Sequence, residues 1–298
     1  MTLKICFMLG TSLALSSPAF AAPADQNRLF PASKLVSADR ISVEVIGQGP
    51  DVVLIPGLAS SRQVWQRTAA RLSGRYRLHV VQVAGFAGEP AKANAAGPVV
   101  APTVNAIASY IATAKLNRPA IVGHSLGGLM ALQLAADHPA SVGKVFVVDA
   151  LPFYAEIFAG RSATVAAVKP IADGLGAKML ASSNSQFAAS AAQTASMMVT
   201  SKEDQARVAG WSAASNRQTM ITAMQEDLTT DFRSRVASIE APVTVIYEAP
   251  LKVLVEQDYG HLKHGTLIAE PAGVKHFVMY DDPTGFDKAI DAFLTSPK

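Results

Sequence analysis

Apolar and polar positions divide most of the chain into alternating strand-like and helix-like segments. After an alternating first strand, the strand-like segments are continuous runs of Val, Ile and Leu, as in parallel strands buried on both faces. We predict strands at about 40–46, 51–55, 78–83, 119–122, 144–148, 242–247 and 266–269. We predict helices at about 61–72, 104–114, 126–137 and 284–294. This order predicts an α/β fold with a mostly parallel, doubly wound sheet covered by helices on both faces.

The pattern changes after residue 150. Between residues 151 and 235 no strand pattern occurs, and Ala, Ser, Thr and Met dominate. We predict that 151–235 is an all-helical insertion into a core formed by 22–150 and 236–298. It contains five of the nine methionines, which are Met179, Met197, Met198, Met220 and Met224. Their flexible thioethers suit an adaptable apolar pocket, although they are equally ordinary residues of a helical core.

Residues 1–21 have the pattern of a cleaved secretory signal. Lys4 gives a positive start, residues 5–15 are mostly apolar, and Ala-Phe-Ala at 19–21 forms a small-residue cleavage site. The apolar run is much shorter than the roughly 20 residues that span a bilayer. We therefore predict a periplasmic or secreted protein with no stable membrane anchor after cleavage.

Composition narrows the possible partners. The chain has 298 residues, of which 50% are hydrophobic and 16% charged, which is enough for a large buried core. The net charge is only +3 and the Lys and Arg residues are scattered, which argues against a nucleic-acid partner. The single cysteine, Cys6, lies in the predicted signal, so the mature chain would have no disulfide and no thiol nucleophile. The sequence has no metal or cofactor motif, and we expect neither to be required.

One short motif indicates a chemical function. Gly123–Gly127 reads Gly-His-Ser-Leu-Gly and lies where a predicted strand ends and a predicted helix begins. This is the context of a G-x-S-x-G nucleophile elbow, in which a strained turn raises the serine above the sheet. Ser125 would lie at the N-terminus of a helix, whose dipole favours developing negative charge. The alternative is a glycine-rich turn whose serine has no chemical role.

A reactive serine needs a base, and histidine is the usual one, because imidazole titrates near neutral pH. Among the six histidines we favour His276, which lies in a loop after the last predicted strand. In a doubly wound sheet this loop lies at the same edge as Ser125. His79 and His138 suit packing or capping positions, and His124 should point away from the serine hydroxyl.

Four segments together resemble the α/β-hydrolase fold superfamily, in particular an exported bacterial-type member of its serine esterases, lipases and haloperoxidase-like hydrolases. They read LIPGLASSRQVW, IVGHSLGGLMALQLAADHP, KVFVVDALPF and KHFVMYDDPTGFDKAIDAFL. The resemblance covers nearly the whole mature chain and implies that the helical insertion is a lid after the sixth strand. It also implies an oxyanion hole formed by the backbone N–H groups of Leu58 and Leu126. Pro56 stands where this loop of the family usually has a histidine.

The acidic partner of the histidine is the point at which the sequence departs from the family. The acid usually follows the strand that ends here at Tyr247, but no aspartate stands at the usual offset. Some members of the fold place it after the preceding strand, which makes Asp149 the preferred candidate and Glu248 the main alternative. Asp258, between the last two strands, is a minor option. A buried aspartate needs a hydrogen bond, which a histidine N–H would supply, although Asp149 could instead cap the start of the lid.

These groups predict hydrolysis of a small-molecule carboxylic ester through an acyl-enzyme. The substrate would be small to medium-sized and apolar. Candidate pocket-lining residues are Trp65, Phe86, Phe153 and Phe158. Lactone opening, perhydrolysis and carbon–carbon bond hydrolysis use the same groups and stay open. A non-catalytic binding protein of the same fold is the other alternative, favoured by the missing acid.

Overall fold

Eight strands form a single sheet in the computed structural model, which describes residues 27–297. The strands are β1 (Lys34–Ser37), β2 (Ile41–Ile46), β3 (Asp51–Ile55), β4 (Arg77–Val83), β5 (Ala120–His124), β6 (Lys144–Val148), β7 (Val243–Tyr247) and β8 (Gly265–Ala269). Their order is β1-β2-β4-β3-β5-β6-β7-β8, and β2 pairs antiparallel with β1 and β4, whereas all other pairs are parallel. The predicted α/β fold with a mostly parallel sheet is confirmed. The predicted secretory signal at 1–21 lies outside the described residues and stays a prediction.

The sequence pattern does not predict β1. This strand lies at the edge of the sheet and pairs with β2, with Lys34 opposite Val45 and Ser37 opposite Ser42. None of its four residues is fully buried. It therefore lacks the apolar run that identifies the inner strands.

Helices connect the strands and cover the sheet. They are α1 (Gln66–Leu72), α2 (Val100–Thr113), α3 (Leu126–Asp137), α4 (Glu156–Ala159), α5 (Val165–Ala181), α6 (Asn184–Met198), α7 (Lys202–Ala214), α8 (Arg217–Thr229), α9 (Lys252–Tyr259), α10 (Val278–Asp281) and α11 (Pro283–Thr295). Helices α4 to α8 all lie between β6 and β7, in a stretch that is described throughout and contains no strand. That this stretch acts as a lid stays a prediction.

The central strands contribute to two hydrophobic clusters, one on each face of the sheet. On β3, Val53 and Ile55 pack in the cluster that includes residues of α2 and α3, whereas Val52 and Leu54 pack in the cluster that includes residues of α1 and α11. Successive side chains of a strand point to opposite faces, so both faces are covered. This double burial explains why the inner strands are continuous apolar runs.

The helices between β6 and β7 begin at clear capping signals. Four of them start after a residue whose side chain accepts a hydrogen bond from a backbone N–H of the first turn, and these residues are Thr164, Ser183, Ser201 and Asn216. Each such cap stabilises a helix by about 1 kcal/mol. Helix α5 packs against α8 and α6 against α7, so the insertion consists mainly of two helix pairs.

The junction between β5 and α3 has no room for side chains at two positions. A Cβ atom at Gly123 would lie 2.1 Å from the carbonyl oxygen of Gly127, and one at Gly127 would lie 2.5 Å from the carbonyl oxygens of Ile55 and Pro56. Strand and helix meet across a sharp turn, at whose apex Ser125 has φ of 53° and ψ of −127°. A positive φ at a residue other than glycine is a strained conformation that the surrounding structure must enforce.

Replacing Gly123 with alanine should destabilise the protein, because the added methyl group fits only if β5 and α3 move apart. We expect Gly123→Ala to lower the free energy of unfolding by about 1–3 kcal/mol, the usual effect of overpacking. Urea denaturation followed by circular dichroism measures this change. Gly74→Ala is the matched control, since no atom lies within 4 Å of its added Cβ. Equal losses of stability in the two variants would contradict the crowding at this junction.

Candidate active site

Ser125 lies at the apex of the turn between β5 and α3. Its backbone N–H donates to the carbonyl oxygen of Val148 at the end of β6, over 2.9 Å. Its side chain does not cap α3, although the residue occupies the N-cap position. Ser125 instead lines a cavity together with His276. The helix N-terminus beside it favours negative charge that develops at this position.

His276 is hydrogen-bonded to Asp149. The distance between His276 Nδ1 and Asp149 Oδ2 is 2.7 Å, and Asp149 Oδ1 accepts the backbone N–H of Glu248 over 2.8 Å. Asp149 directly follows β6, has a positive φ of 50° and has a fully buried side chain. Two hydrogen bonds compensate for the burial of its carboxylate. Of the three candidate acids, Asp149 is the one that contacts the histidine.

Asp149 favours the protonated form of His276. Burial alone would lower the pKa of His276, because it disfavours the charged imidazolium. The hydrogen bond and the charge of Asp149 act in the opposite direction, with further contributions from the charges of Glu248 and Asp227, and the pKa of His276 is raised above its ordinary value. The imidazole is therefore well suited to accept a proton.

The other two candidate acids have different surroundings. Glu248 lines a smaller cavity of about 300 Å³ together with Asp149 and His276. Burial, together with the charge of Asp149, raises the pKa of Glu248. Asp258 on α9 forms an ion pair with Arg161, which also pairs with Glu156. Asp258 thus helps to fix the helical insertion to α9 and does not reach the histidine.

Two backbone N–H groups beside Ser125 are without an acceptor among the described residues. Leu126 is the first residue of α3, so its N–H has no partner within the helix. Leu58 lies in the turn after β3 and lines the same cavity as Ser125. These are the two predicted oxyanion-hole donors, and the Pro-Gly sequence before Leu58 leaves both main-chain donors in place.

His124 supports the loop that carries His276. Its Nε2–H donates to the backbone carbonyl of His276 over 3.1 Å, and the two imidazole rings lie 4.7 Å apart between centroids. Burial lowers the pKa of His124 well below its ordinary value, and the charge of His276 lowers it further. His124 is therefore a neutral supporting residue for the loop, a role that its position next to the serine did not predict.

The cavity at Ser125 has a volume of about 800 Å³ and is lined mainly by apolar side chains of the helical insertion. Four of the five methionines that were candidates for such a pocket line it, and these are Met179, Met198, Met220 and Met224. Met197 lines the smaller cavity. Phe158 and Leu175 line the large cavity while 49% and 42% exposed, so they mark its mouth.

Three of the four aromatic residues predicted to line the pocket lie elsewhere. Trp65, Phe86 and Phe153 are fully buried in the hydrophobic clusters and do not line the cavity. Trp65 packs near Phe286 of α11, and Phe153 packs within the helical insertion. Their size and apolarity suit a core as well as a pocket, and of the four predicted residues only Phe158 lines the cavity.

Asp227 is a cavity residue that the sequence prediction missed. It lies on α8, is 8% exposed and lines the cavity with Ser125 and His276. Burial raises the pKa of Asp227 to about 7, and the charge of His276 opposes this rise. The spacing of Met220, Met224 and Asp227 places all three on one face of a helix, since residues four and three positions apart share a face, but it does not distinguish a face at a cavity from one at solvent.

Residues 27–297 contain no group of three or more His, Cys, Asp or Glu side chains placed to hold a metal ion. Within the same range no helix combines the length and the apolar character needed to cross a membrane.

The sheet order and the strained serine turn are those of an α/β-hydrolase fold. The chain belongs to the alpha/beta hydrolase family, whose sequence model matches residues 52–289. Similar solved structures include an esterase from Exiguobacterium antarcticum, with a TM-score of 0.73 and 18% identity, and the enol-lactonase from Burkholderia xenovorans, with a TM-score of 0.71 and 17% identity. Each of these two matches covers 86% of this chain and 96% of the other chain. At this level of identity the likeness concerns the fold.

The chain is also similar to pimeloyl-[acyl-carrier protein] methyl ester esterases. The enzyme from Aeromonas hydrophila is 36% identical over 114 residues, and that from Vibrio cholerae is 37% identical over 112 residues. Each match covers 38% of this chain, and 43% or 41% of the relative. The chain thus spans about two fifths of the length of these relatives.

Removing the carboxylate of Asp149 should lower the pKa of His276. In Asp149→Asn the burial that disfavours imidazolium remains, while the charge that stabilises it is lost. Nuclear magnetic resonance of the imidazole protons during a pH titration measures this change. Glu248→Gln is the control and should lower the pKa of His276 less, since Glu248 acts through its charge alone. An unchanged titration of His276 in Asp149→Asn would show that their hydrogen bond does not control the protonation.

Proposed function

We propose that this protein is a serine hydrolase that cleaves carboxylic esters through an acyl-enzyme. The observation that carries the proposal is the 2.7 Å hydrogen bond between His276 Nδ1 and Asp149 Oδ2, beside the cavity that Ser125 lines. The missing acid at the usual position is the argument for a non-catalytic binding protein. A hydrogen bond from His276 to Asp149 weakens that argument, because it offers an acid at another position. A serine, a histidine and an oriented carboxylate are the groups that acyl transfer requires.

In the proposed reaction, Asp149 accepts the Nδ1–H of His276 and so leaves Nε2 unprotonated and free to act as a base. His276 Nε2 takes the proton of the Ser125 hydroxyl as the serine oxygen attacks the ester carbonyl. The resulting imidazolium is stabilised by Asp149 and returns the proton to the departing alcohol. Water then attacks the acyl-enzyme as His276 takes a proton from it, and His276 returns this proton to the oxygen of Ser125 as the carboxylic acid departs.

The carbonyl oxygen becomes negatively charged in each tetrahedral intermediate. The N–H groups of Leu58 and Leu126 are the proposed donors to this oxyanion. Leu126 follows Ser125, Leu58 lines the same cavity, and neither N–H has an acceptor among the described residues. Each donor of this kind contributes about 100-fold to 1000-fold to the rate in enzymes that have been mutated.

The substrate that the cavity favours is an ester with a medium-sized apolar acyl chain. A cavity of about 800 Å³ lies within the range of small-molecule sites. Its flexible methionines can adapt to acyl chains of different shape. The similarity to methyl ester esterases supports the same class of bond. We also propose that the protein acts outside the cytoplasm, on the basis of the signal pattern at 1–21.

Ser125→Ala should abolish hydrolysis of a short-chain p-nitrophenyl ester. We expect the rate to fall by about a thousand-fold or more, because the nucleophile is lost and the remaining groups do not replace it. Release of p-nitrophenol measures the rate, and a fluorophosphonate probe should label the wild type and not the variant. Equal hydrolysis or equal labelling of the two proteins would refute a serine hydrolase.

The acid should be identified by comparing three conservative substitutions. Asp149→Asn should lower kcat by about 10,000-fold, as in triads whose aspartate is replaced by asparagine. Glu248→Gln and Asp258→Asn should have much smaller effects, since neither side chain is hydrogen-bonded to His276. The unfolding temperature of each variant separates loss of activity from loss of structure. A large effect confined to Glu248→Gln would assign the acid to that residue.

A further inference from the structure

One acidic side chain in the cavity has no part in the proposed reaction. Asp227 is more than nine-tenths buried and lines the cavity at Ser125 and His276. Its carboxyl group forms no hydrogen bond and no ion pair with any residue between 27 and 297. Burying a carboxyl group without a partner is unfavourable, and buried polar groups in folded proteins are normally hydrogen-bonded. An unpaired carboxyl group in a binding cavity therefore indicates a ligand group that pairs with it.

Two other buried acids near the sheet edge, Asp149 and Glu156, are fully paired. Asp149 accepts two hydrogen bonds, from His276 and from the backbone of Glu248. Glu156 is paired with Arg161 and Arg233. Asp227 differs from both in facing the cavity without a partner.

Asp227 belongs to the part of the cavity that would hold the acyl chain. It shares the cavity face of α8 with Met220 and Met224 and lines the large cavity of about 800 Å³. It does not line the adjoining cavity of about 300 Å³, which His276 also borders and which is large enough for a small alcohol group. The charge of Asp227 contributes, after burial, to the raised pKa of Tyr154, which borders both cavities. The carboxyl group thus lies towards the reacting groups, within the larger space.

The chemistry of this environment favours a neutral ligand group. Burial raises the pKa of Asp227 to about 7, so near neutral pH the carboxyl group can both donate and accept a hydrogen bond. A hydroxyl group is less unfavourable to bury in an apolar cavity than an ammonium group, whose charge must also be desolvated. A hydroxyl on an otherwise apolar chain matches both the carboxyl group and the methionines around it.

We propose that Asp227 is a specificity-determining residue that hydrogen-bonds a hydroxyl group on the acyl chain, so that the enzyme prefers esters of hydroxylated acids over their plain counterparts. The proposal rests on the proposed ester hydrolysis for its substrate class. An apolar chain would leave the buried carboxyl group unpaired, whereas a hydroxylated chain would satisfy it. Sites that hydrogen-bond a substrate group discriminate strongly against substrates that lack it, because their own polar groups are then left without a partner.

The test compares methyl octanoate with methyl esters of 3-, 6-, 7- and 8-hydroxyoctanoic acid. We expect kcat/KM for at least one hydroxy ester to exceed that for methyl octanoate by about ten-fold or more. Asp227→Leu should remove this preference, and Asp227→Asn should retain most of it, because an amide also donates and accepts. Methanol release measures the rates. If Asp227→Leu does not fold, Asp227→Ala replaces it.

Glu226→Gln is the matched control. It makes the same carboxyl-to-amide change as Asp227→Asn, at the next residue of α8, where Glu226 accepts the backbone N–H groups of Val99 and Val100. Glu226 does not line the cavity. Its replacement should therefore leave unchanged the ratio of kcat/KM for the preferred hydroxy ester to kcat/KM for methyl octanoate.

The outcomes separate this proposal from the proposed function. Equal kcat/KM for all five esters, or a preference that survives in Asp227→Leu, would overturn the role of Asp227 while leaving ester hydrolysis intact. Absence of Ser125-dependent hydrolysis for every ester would instead overturn the proposed function. In that case the hydroxyl contact can be tested by binding alone. The dissociation constants of the same esters would be measured for Ser125→Ala and for the double variant Ser125→Ala/Asp227→Leu. Equal affinity for plain and hydroxylated esters would then refute it.

Discussion

The carboxylate of Asp149 joins the chain segments that follow three neighbouring strands. It belongs to the segment after β6, and it accepts hydrogen bonds from Glu248 after β7 and from His276 after β8. Ser125, after β5, is tied to the same edge through its N–H bond to Val148 of β6. The relative positions of serine, histidine and acid therefore follow from the parallel register of four successive strands, and a loss of this carboxylate would loosen the histidine and the segment after β7 together.

How much of the site could be predicted depends on whether its signal is local. The serine turn could be predicted because two glycines, a strand and a helix define it within a few residues. His276 could be predicted from topology, since loops after parallel strands share one edge. The acid could not be fixed in this way. Val148 pairs with Ile246, so Asp149 and Glu248 both follow strands that end side by side, and only the direction of their side chains decides between them.

The lining of the cavity was harder to predict for a related reason. A large aromatic side chain suits a closed core as well as an open pocket. Trp65 and Phe153 belong to hydrophobic clusters of the core. The methionine face of α8 is visible in the spacing of Met220 and Met224, but a carboxylate three residues later is the pattern of a solvated helix face. Whether Asp227 meets solvent or a cavity depends on how α8 packs over the sheet, which is a tertiary property.

Two adjacent imidazoles at the centre of the site have opposite protonation behaviour. The rings of His124 and His276 lie 4.7 Å apart, and His124 is fully buried whereas the side chain of His276 is 14% exposed. The carboxylate of Asp149 raises the pKa of His276. His124 has, within 27–297, only a carbonyl oxygen as its hydrogen-bond partner, so burial keeps it neutral. A positive charge on His276 makes a second charge on His124 still less favourable. The environment thus favours the charged form of His276 and the neutral form of His124. A neutral His124 can hold the backbone of the loop in place when His276 changes its charge.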